Sequence, residues 1–164
     1  MKPFLPALLC LLSLPLSAAP PAAENKADPG IARQLEQLRY EYEIDEDGDY
    51  RLLMAVDEDS GRSQWVYVRS TVEKYGEHRV RELWSYAYRA NGSAFPSLVA
   101  NRLLEASNNL IMGSWVKQDQ SAVLVVKIPA DADAEALDDA IVAAAQSADE
   151  MERELADDPA SDDY

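Results

Sequence analysis

The sequence predicts an α+β fold: an antiparallel β-sheet meander with an N-terminal, a middle and a long C-terminal helix packed on it. Residues 40–89 alternate apolar and polar side chains around short turns, which is typical of strands. The run Val123-Leu124-Val125-Val126 is apolar on both faces, so it predicts a central strand. From about Asp133 to Ala156, apolar residues recur every three or four positions and predict an amphipathic helix.

Residues 1–19 have the layout of a secretory signal peptide. Lys2 precedes a leucine-rich run, and the small residues Ser17, Ala18 and Ala19 follow it. The run is shorter than the roughly 20 residues needed to cross a bilayer. We therefore expect cleavage and a periplasmic or secreted mature chain without a membrane span. Cys10 lies between leucines inside the run, where a lipoprotein anchor is not expected.

The charge and the scarce reactive residues exclude several functions. The net charge is −15, and the basic residues are scattered singly among acids, so nucleic acid is not an expected partner. Cleavage would remove Cys10, the only cysteine, and His78 is the only histidine, which excludes the usual zinc sites and a thiol nucleophile. His78 lies in a polar turn and is expected on the surface. The six glycines form no phosphate-binding loop. We expect no cofactor.

A flexible leader is expected at residues 20–28, followed by a single α+β domain at 29–156. Asp28-Pro29 predicts the start of a helix that runs to Leu38. Alternation on both sides of Asp47-Gly48 predicts a β-hairpin. Residues 65–72 read as the next strand, with Val66, Val68 and Val72 on one face and Trp65 and Tyr67 on the other.

Residues 78–89 fit two patterns. Val80, Leu83 and Trp84 belong to a helical stripe, whereas Trp84, Tyr86 and Tyr88 also fit strand alternation. Because the segment is rich in aromatic residues and follows a meander, we predict a strand that ends at an Asn91-Gly92 turn.

The second half of the domain is predicted to contain two helices and a hairpin. Pro96 opens a helix that ends near residues 107–109, strands follow at 110–117 and 122–128, and a turn at 118–121 joins them. The acids of the last helix are expected to face solvent or to lie near its N-terminus. Residues 157–164, with Pro159 and four acids, predict a disordered tail.

Acidic residues suggest two sites. Asp45, Asp47 and Asp49 offer the oxygen ligands that calcium prefers, although their spacing differs from the helix-loop-helix calcium motif and an Asp-Gly turn also explains them. A pair of carboxylates could also serve a hydrolase as general acid and base, but no pair stands out among 30 acids.

Aromatic residues suggest a further site. They could line a peptide-binding surface on the sheet or, alternatively, pack in the core. The candidates are Trp65, Tyr67, Trp84, Tyr86 and Tyr88. Trp115, close to Gly113, carries the same two interpretations.

The junction between the second helix and the following hairpin, Leu103-Leu104-Glu105-Ala106-Ser107-Asn108-Asn109-Leu110, resembles the YbjN domain family. The link Ile128-Pro129 and the closing acidic helix over 140–155 are similar to that family as well. The resemblance covers most of residues 29–156. It implies a fold like that of type III secretion chaperones, often dimeric, and a binding or regulatory protein with no catalytic residues to transfer. The export signal departs from the cytoplasmic location of those chaperones.

The sequence therefore predicts a non-enzymatic, exported, YbjN-like module that binds a protein or peptide, with homodimerisation expected from the resemblance alone. The alternatives are a calcium-responsive envelope protein that uses the Asp45–Asp49 turn and a carboxylate-based hydrolase.

Overall fold

The structure, a computed structural model, describes residues 26–57, 60–156, 158 and 161–164. The predicted signal peptide and residues 20–25 of the predicted leader lie outside the described residues. Among the residues that are described, no helix is long and apolar enough to cross a membrane.

Three helices and six strands make up the described fold, and it confirms the predicted α+β class. The helices are α1 (Pro29–Leu38), α2 (Ser97–Asn109) and α3 (Ala134–Leu155). The strands are β1 (Glu43–Ile44), β2 (Tyr50–Asp57), β3 (Arg62–Tyr75), β4 (His78–Arg89), β5 (Ser114–Gln118) and β6 (Ser121–Pro129). They form one antiparallel sheet in the order β1-β2-β3-β4-β6-β5.

Helix α1 begins where its capping residues predict. The Asp28 carboxylate accepts a hydrogen bond from the Gly30 N–H at 2.8 Å, and Pro29 occupies the first turn. Just beyond the helix, the Tyr40 hydroxyl donates to Asp138 of α3 at 2.6 Å. Burial and this hydrogen bond raise the pKa of Tyr40 to about 12, so the phenol remains a donor at neutral pH and ties α1 to α3.

Residues 78–89 form a strand, as predicted, because β4 pairs with a strand on each side. Along β4, buried Leu83, Ser85 and Ala87 alternate with half-buried Glu82, Trp84 and Tyr86. The predicted Asn91-Gly92 turn does not close a hairpin, since the chain passes from β4 into α2. In β3, the register shifts between Val68 and Val72 and interrupts the predicted alternation there.

The core lies between one face of the sheet and the three helices. Strand β6 directs Ala122, Leu124, Val126 and Ile128 toward the helices, where they meet the predicted seam of α3. Helix α3 contacts β2, β3, β4 and β6, α2 contacts β5, and α1 contacts α3. All three helices therefore cover the same side of the sheet. We call the opposite side, which bears Leu53, Trp65, Tyr67, Trp84, Tyr86 and Val116, the open face.

Two predicted strands differ in length from their sequence patterns. Strand β1 has only two residues, so Tyr40 and Tyr42 precede it, and β5 begins at Ser114 rather than at residue 110. Residues 110–113 instead connect α2 to β5, and Gly113 turns the chain with φ of +83°.

Gly113 is therefore expected to resist substitution. A Cβ at this position would lie 2.8 Å from the carbonyl oxygen of Val125, and the positive φ disfavours any L side chain. We expect Gly113→Ala to lower the free energy of unfolding by about 1–3 kcal/mol, measured by urea unfolding. Gly92→Ala is the matched control, because nothing lies near its Cβ position and its φ is ordinary. Equal costs for the two substitutions would contradict this account of Gly113.

The last residues of the sequence differ from the expected disordered tail. The structure places residues 161–164 against β3 and α3, where Arg62 donates to the Ser161 carbonyl and the Asp163 N–H donates to Glu152. The Ser161 carbonyl and the Asp163 N–H thus satisfy two buried charged groups, which gives residues 161–164 a defined position despite their acidic composition.

Candidate binding surface on the open face

Two rows of side chains cross the strands on the open face. In the first row, Arg51 of β2 pairs with Tyr67 of β3, which pairs with Trp84 of β4. Val125 of β6 continues this row beside Trp84. In the second, Leu53 pairs with Trp65 across β2 and β3, and Tyr86, Val123 and Val116 cross β4, β6 and β5. The sheet register thus joins residues distant in sequence into one apolar and aromatic surface.

Direct contacts hold the four aromatic side chains of the open face in place. The rings of Tyr67 and Tyr86 meet edge to face with centroids 5.8 Å apart. The Arg51 guanidinium lies 4.6 Å from the centroid of Trp65, and that of Arg69 lies 4.3 Å from Trp84. These cation–π contacts and the ring pair orient the rings of Trp65, Tyr67, Trp84 and Tyr86, which we call the aromatic platform.

The fifth predicted aromatic residue, Tyr88, does not belong to this surface. The register shifts between Tyr86 and Tyr88, so that Tyr86 pairs with Val123 but Tyr88 pairs with Ala122, a residue of the core face. Tyr88 packs instead against Phe95 on the helix-covered side, with ring centroids 5.7 Å apart. A β-bulge is the physical reason that simple alternation misplaces Tyr88.

The open face is apolar at both ends and carries balanced charges. Leu53 is 54% exposed on β2 and Val116 is 38% exposed on β5. Three cations on the face have acidic partners: Arg51 pairs with Glu43, Arg69 with Asp49 and Lys127 with Glu82. These pairs are locally balanced in a chain of net charge −15.

The two edges of the sheet offer a peptide fewer binding groups than the open face does. At one edge β1 has two residues. At the other, the N–H of Trp115 donates to the Ser107 hydroxyl of α2 at 2.9 Å, which uses one of the outward-pointing groups of β5. Trp115 itself is buried in the core cluster, so of its two predicted roles the structure supports packing.

The Asp45–Asp49 turn uses its carboxylates within the protein. Asp45 accepts hydrogen bonds from the N–H groups of Asp47 and Asp49, both at 2.9 Å. Asp49 is buried, accepts from the Ser70 N–H at 2.7 Å and pairs with Arg69. Because these oxygens stabilise the hairpin and its contact with β3, the geometry gives the predicted calcium site no support.

A buried group of charges was missed by the sequence analysis. The expectation that acids of α3 face solvent is wrong for Asp149 and Glu152, which are 7% and 2% exposed. Arg62 of β3 donates to Asp149 at 2.6 Å and to Glu152 at 3.1 Å. The only signal in the sequence is their position next to Ala148 and Met151, within the apolar seam of α3.

Asp149 and Glu152, together with Asp162, are grouped closely enough to resemble the carboxylates of a metal or catalytic site. Carboxylate oxygens of Asp149, Glu152 and Asp162 lie within 4.8 Å of one another. The Arg62 guanidinium already supplies the cation at this position, and the arrangement is that of a structural ion-pair network. Burial raises the pKa of Glu152, while the Asp163 N–H and the charge of Arg62 act in the opposite direction.

His78, which the sequence places on the surface, is exposed and lies on β4, the neighbour of β3.

Comparison of the chain with protein-family models, with curated proteins and with solved structures found no match. The resemblance to the YbjN family therefore stays a prediction from the sequence.

Proposed function

We propose that this protein is an exported, non-enzymatic module that binds a protein or peptide through the open face of its sheet. The observation that carries this proposal is the pre-ordered aromatic surface formed by Trp65, Tyr67, Trp84 and Tyr86 on a side of the sheet that no described helix covers. The role agrees with what the YbjN resemblance implies, and homodimerisation remains a separate prediction from that resemblance.

The composition of the open face suits protein recognition. Tryptophan, tyrosine and arginine are enriched among the residues that dominate the energetics of protein interfaces, and tryptophan and tyrosine bury much area at low cost in side-chain entropy. Here the platform is flanked by Leu53 at one end and Val116 at the other. A partner that presents aliphatic or aromatic side chains would remove both residues from water.

The charges of the open face do not oppose a partner locally. Arg51 pairs with Glu43 and Lys127 with Glu82, so these side chains present neither an unpaired cation nor an unpaired acid at those positions. Because the chain as a whole carries a net charge of −15, a neutral or basic partner is favoured over an acidic one.

The experiment is capture from the envelope extract of the source cells by the mature domain, residues 20–164, followed by mass spectrometry. Leu53→Asp and Val116→Asp place a charge at each exposed end of the open face. We expect each to reduce recovery of the partner by at least about tenfold, because a charge would be buried unpaired in the complex. The matched control is Leu98→Asp on α2, at a leucine that is 82% exposed.

Equal recovery of the partner by all three variants would contradict binding at the open face. So would a partner that only the Leu98→Asp variant fails to recover. Circular dichroism of each variant separates loss of binding from loss of folding.

A further inference from the structure

Two buried charged side chains bind the main chain of residues 161–164. An Arg62 Nη1–H donates to the carbonyl oxygen of Ser161, and Glu152 Oε1 accepts from the N–H of Asp163 at 2.7 Å. Both side chains are at least nine-tenths buried, and Asp149 fixes Arg62 at 2.6 Å. The donor and the acceptor are therefore held in place by the fold and face the same short stretch of backbone.

The two contacted groups belong to residues that are two positions apart in the sequence. In an extended chain, the C=O of one residue and the N–H of the residue two positions later point to the same edge. Ser161 and Asp163 are related in this way. Arg62 and Glu152 contact backbone atoms that every peptide possesses, unless proline occupies the position of Asp163.

Side-chain contacts on either side of the clamped backbone add selectivity. The Asp162 carboxylate accepts from both the N–H and the hydroxyl of Ser63 at 3.3 Å. Tyr164 lines a cleft of about 500 Å³ together with Tyr88, Arg89 and Leu155. The central position therefore favours a hydrogen-bond acceptor, and an aromatic residue two positions later lies beside this cleft.

We propose that Arg62, Ser63 and Glu152 form a peptide-binding clamp, and that residues 161–164 are its intramolecular occupant. The partner is an extended peptide segment with an acceptor side chain in the middle and an aromatic residue two positions after it. The clamp lies at the junction of β3 and α3 and does not use the aromatic platform, so it is independent of the function proposed for the open face.

The charges around Arg62 make the present occupant replaceable. Arg62 is shared by Asp149 and Glu152, and Asp162 brings a third carboxylate to 3.8 Å. Asp162 and Asp163 repel the Glu152 carboxylate, which opposes docking of this acidic segment. A peptide with asparagine at the central position keeps the acceptor for Ser63 without that repulsion and is expected to bind more tightly.

The test uses the full mature chain with its segment exchanged in place: Ser161→Gly, Asp162→Gly, Asp163→Pro and Tyr164→Ser, of which the proline removes the N–H that Glu152 accepts. A synthetic peptide of residues 157–164 is titrated into this variant and into the wild-type chain by calorimetry. We expect saturable binding to the variant and at least about tenfold weaker binding to the wild-type chain, whose own segment competes at high effective concentration.

Two methylated peptides test the backbone contact itself. N-methylation at the position of Asp163 removes the N–H that Glu152 accepts, and we expect at least about tenfold weaker binding, whereas N-methylation at the position of Tyr164 leaves the clamp intact. Equal binding of the two peptides, or no binding to a variant with a native circular dichroism spectrum, would overturn the proposal. A variant that does not fold would overturn it too, because the segment would then be part of the core and not a ligand.

Discussion

Replacement of Arg62 by methionine is expected to lower the free energy of unfolding by about 3–5 kcal/mol at neutral pH. Methionine keeps much of the volume of the side chain but removes the cation that, among the described residues, pairs with the Asp149 and Glu152 carboxylates. Both acids would remain buried without a counter-charge, which costs far more than loss of an exposed ion pair. Urea unfolding of the mature domain measures the change.

The pH dependence of this loss separates charge from packing. Burial already raises the pKa of Glu152, and loss of the Arg62 charge, which acts in the opposite direction, raises it further above the unfolded value of about 4.3. A raised acid pKa means that stability is present below the unfolded pKa and falls as the pH rises through the folded pKa. The difference between Arg62→Met and the wild type should therefore shrink as the pH falls toward 4. A purely steric effect would not change with pH.

A triple variant provides the matched control. Adding Asp149→Leu and Glu152→Leu to Arg62→Met removes all three charges together and is expected to recover most of the stability, because a buried ion network can be replaced by apolar residues of similar volume. If Arg62→Met alone costs less than about 1 kcal/mol, the network is not the buried ion-pair network described above.

The fold could be predicted well because most local signals agree with it. Asp28-Pro29 predicts the first residue of α1, and the four-residue apolar run at Val123 predicts a buried strand between two others. In residues 78–89 two periodicities compete, and the aromatic content with the preceding meander correctly favours the strand. Local pattern and tertiary context point the same way at these positions.

The errors occur where tertiary partners override local pattern. Polar Asp149 and Glu152 are buried because Arg62, far away in sequence, reaches them from β3. A bulge moves Tyr88 to the helix-covered side, and one extra residue in a strand leaves no clear trace in a single sequence. The tail is acidic enough to predict disorder, yet its backbone meets two buried groups.

The aromatic platform is an intermediate case. Alternation in β3 and β4 assigns Trp65, Tyr67, Trp84 and Tyr86 to one side of the sheet, and the structure agrees. Which side the helices cover cannot be read from alternation, because both sides of β6 are apolar. The contacts of α3 show which side of the sheet is covered. They therefore also show whether the aromatic residues form the core or a surface.

A pair of identical substitutions on the two sides of the sheet tests that assignment. Leu124→Ala on β6 is expected to cost about 2–5 kcal/mol, because Leu124 is fully buried between the sheet and the helices and truncation leaves a cavity. Leu53→Ala on β2 is expected to cost less than about 0.5 kcal/mol, since more than half of its side chain is already in water. Urea unfolding at low protein concentration measures both.

The comparison also reports on what covers the open face. If Leu53→Ala costs nearly as much as Leu124→Ala, the open face is buried in solution and the description of it as a free binding surface is wrong. Repeating the unfolding at several protein concentrations then identifies the cover: a second copy makes the stability of the wild type rise with concentration, and makes the cost of Leu53→Ala rise with it. A cost that stays small at every concentration leaves the face available to a different partner, as the proposed function requires.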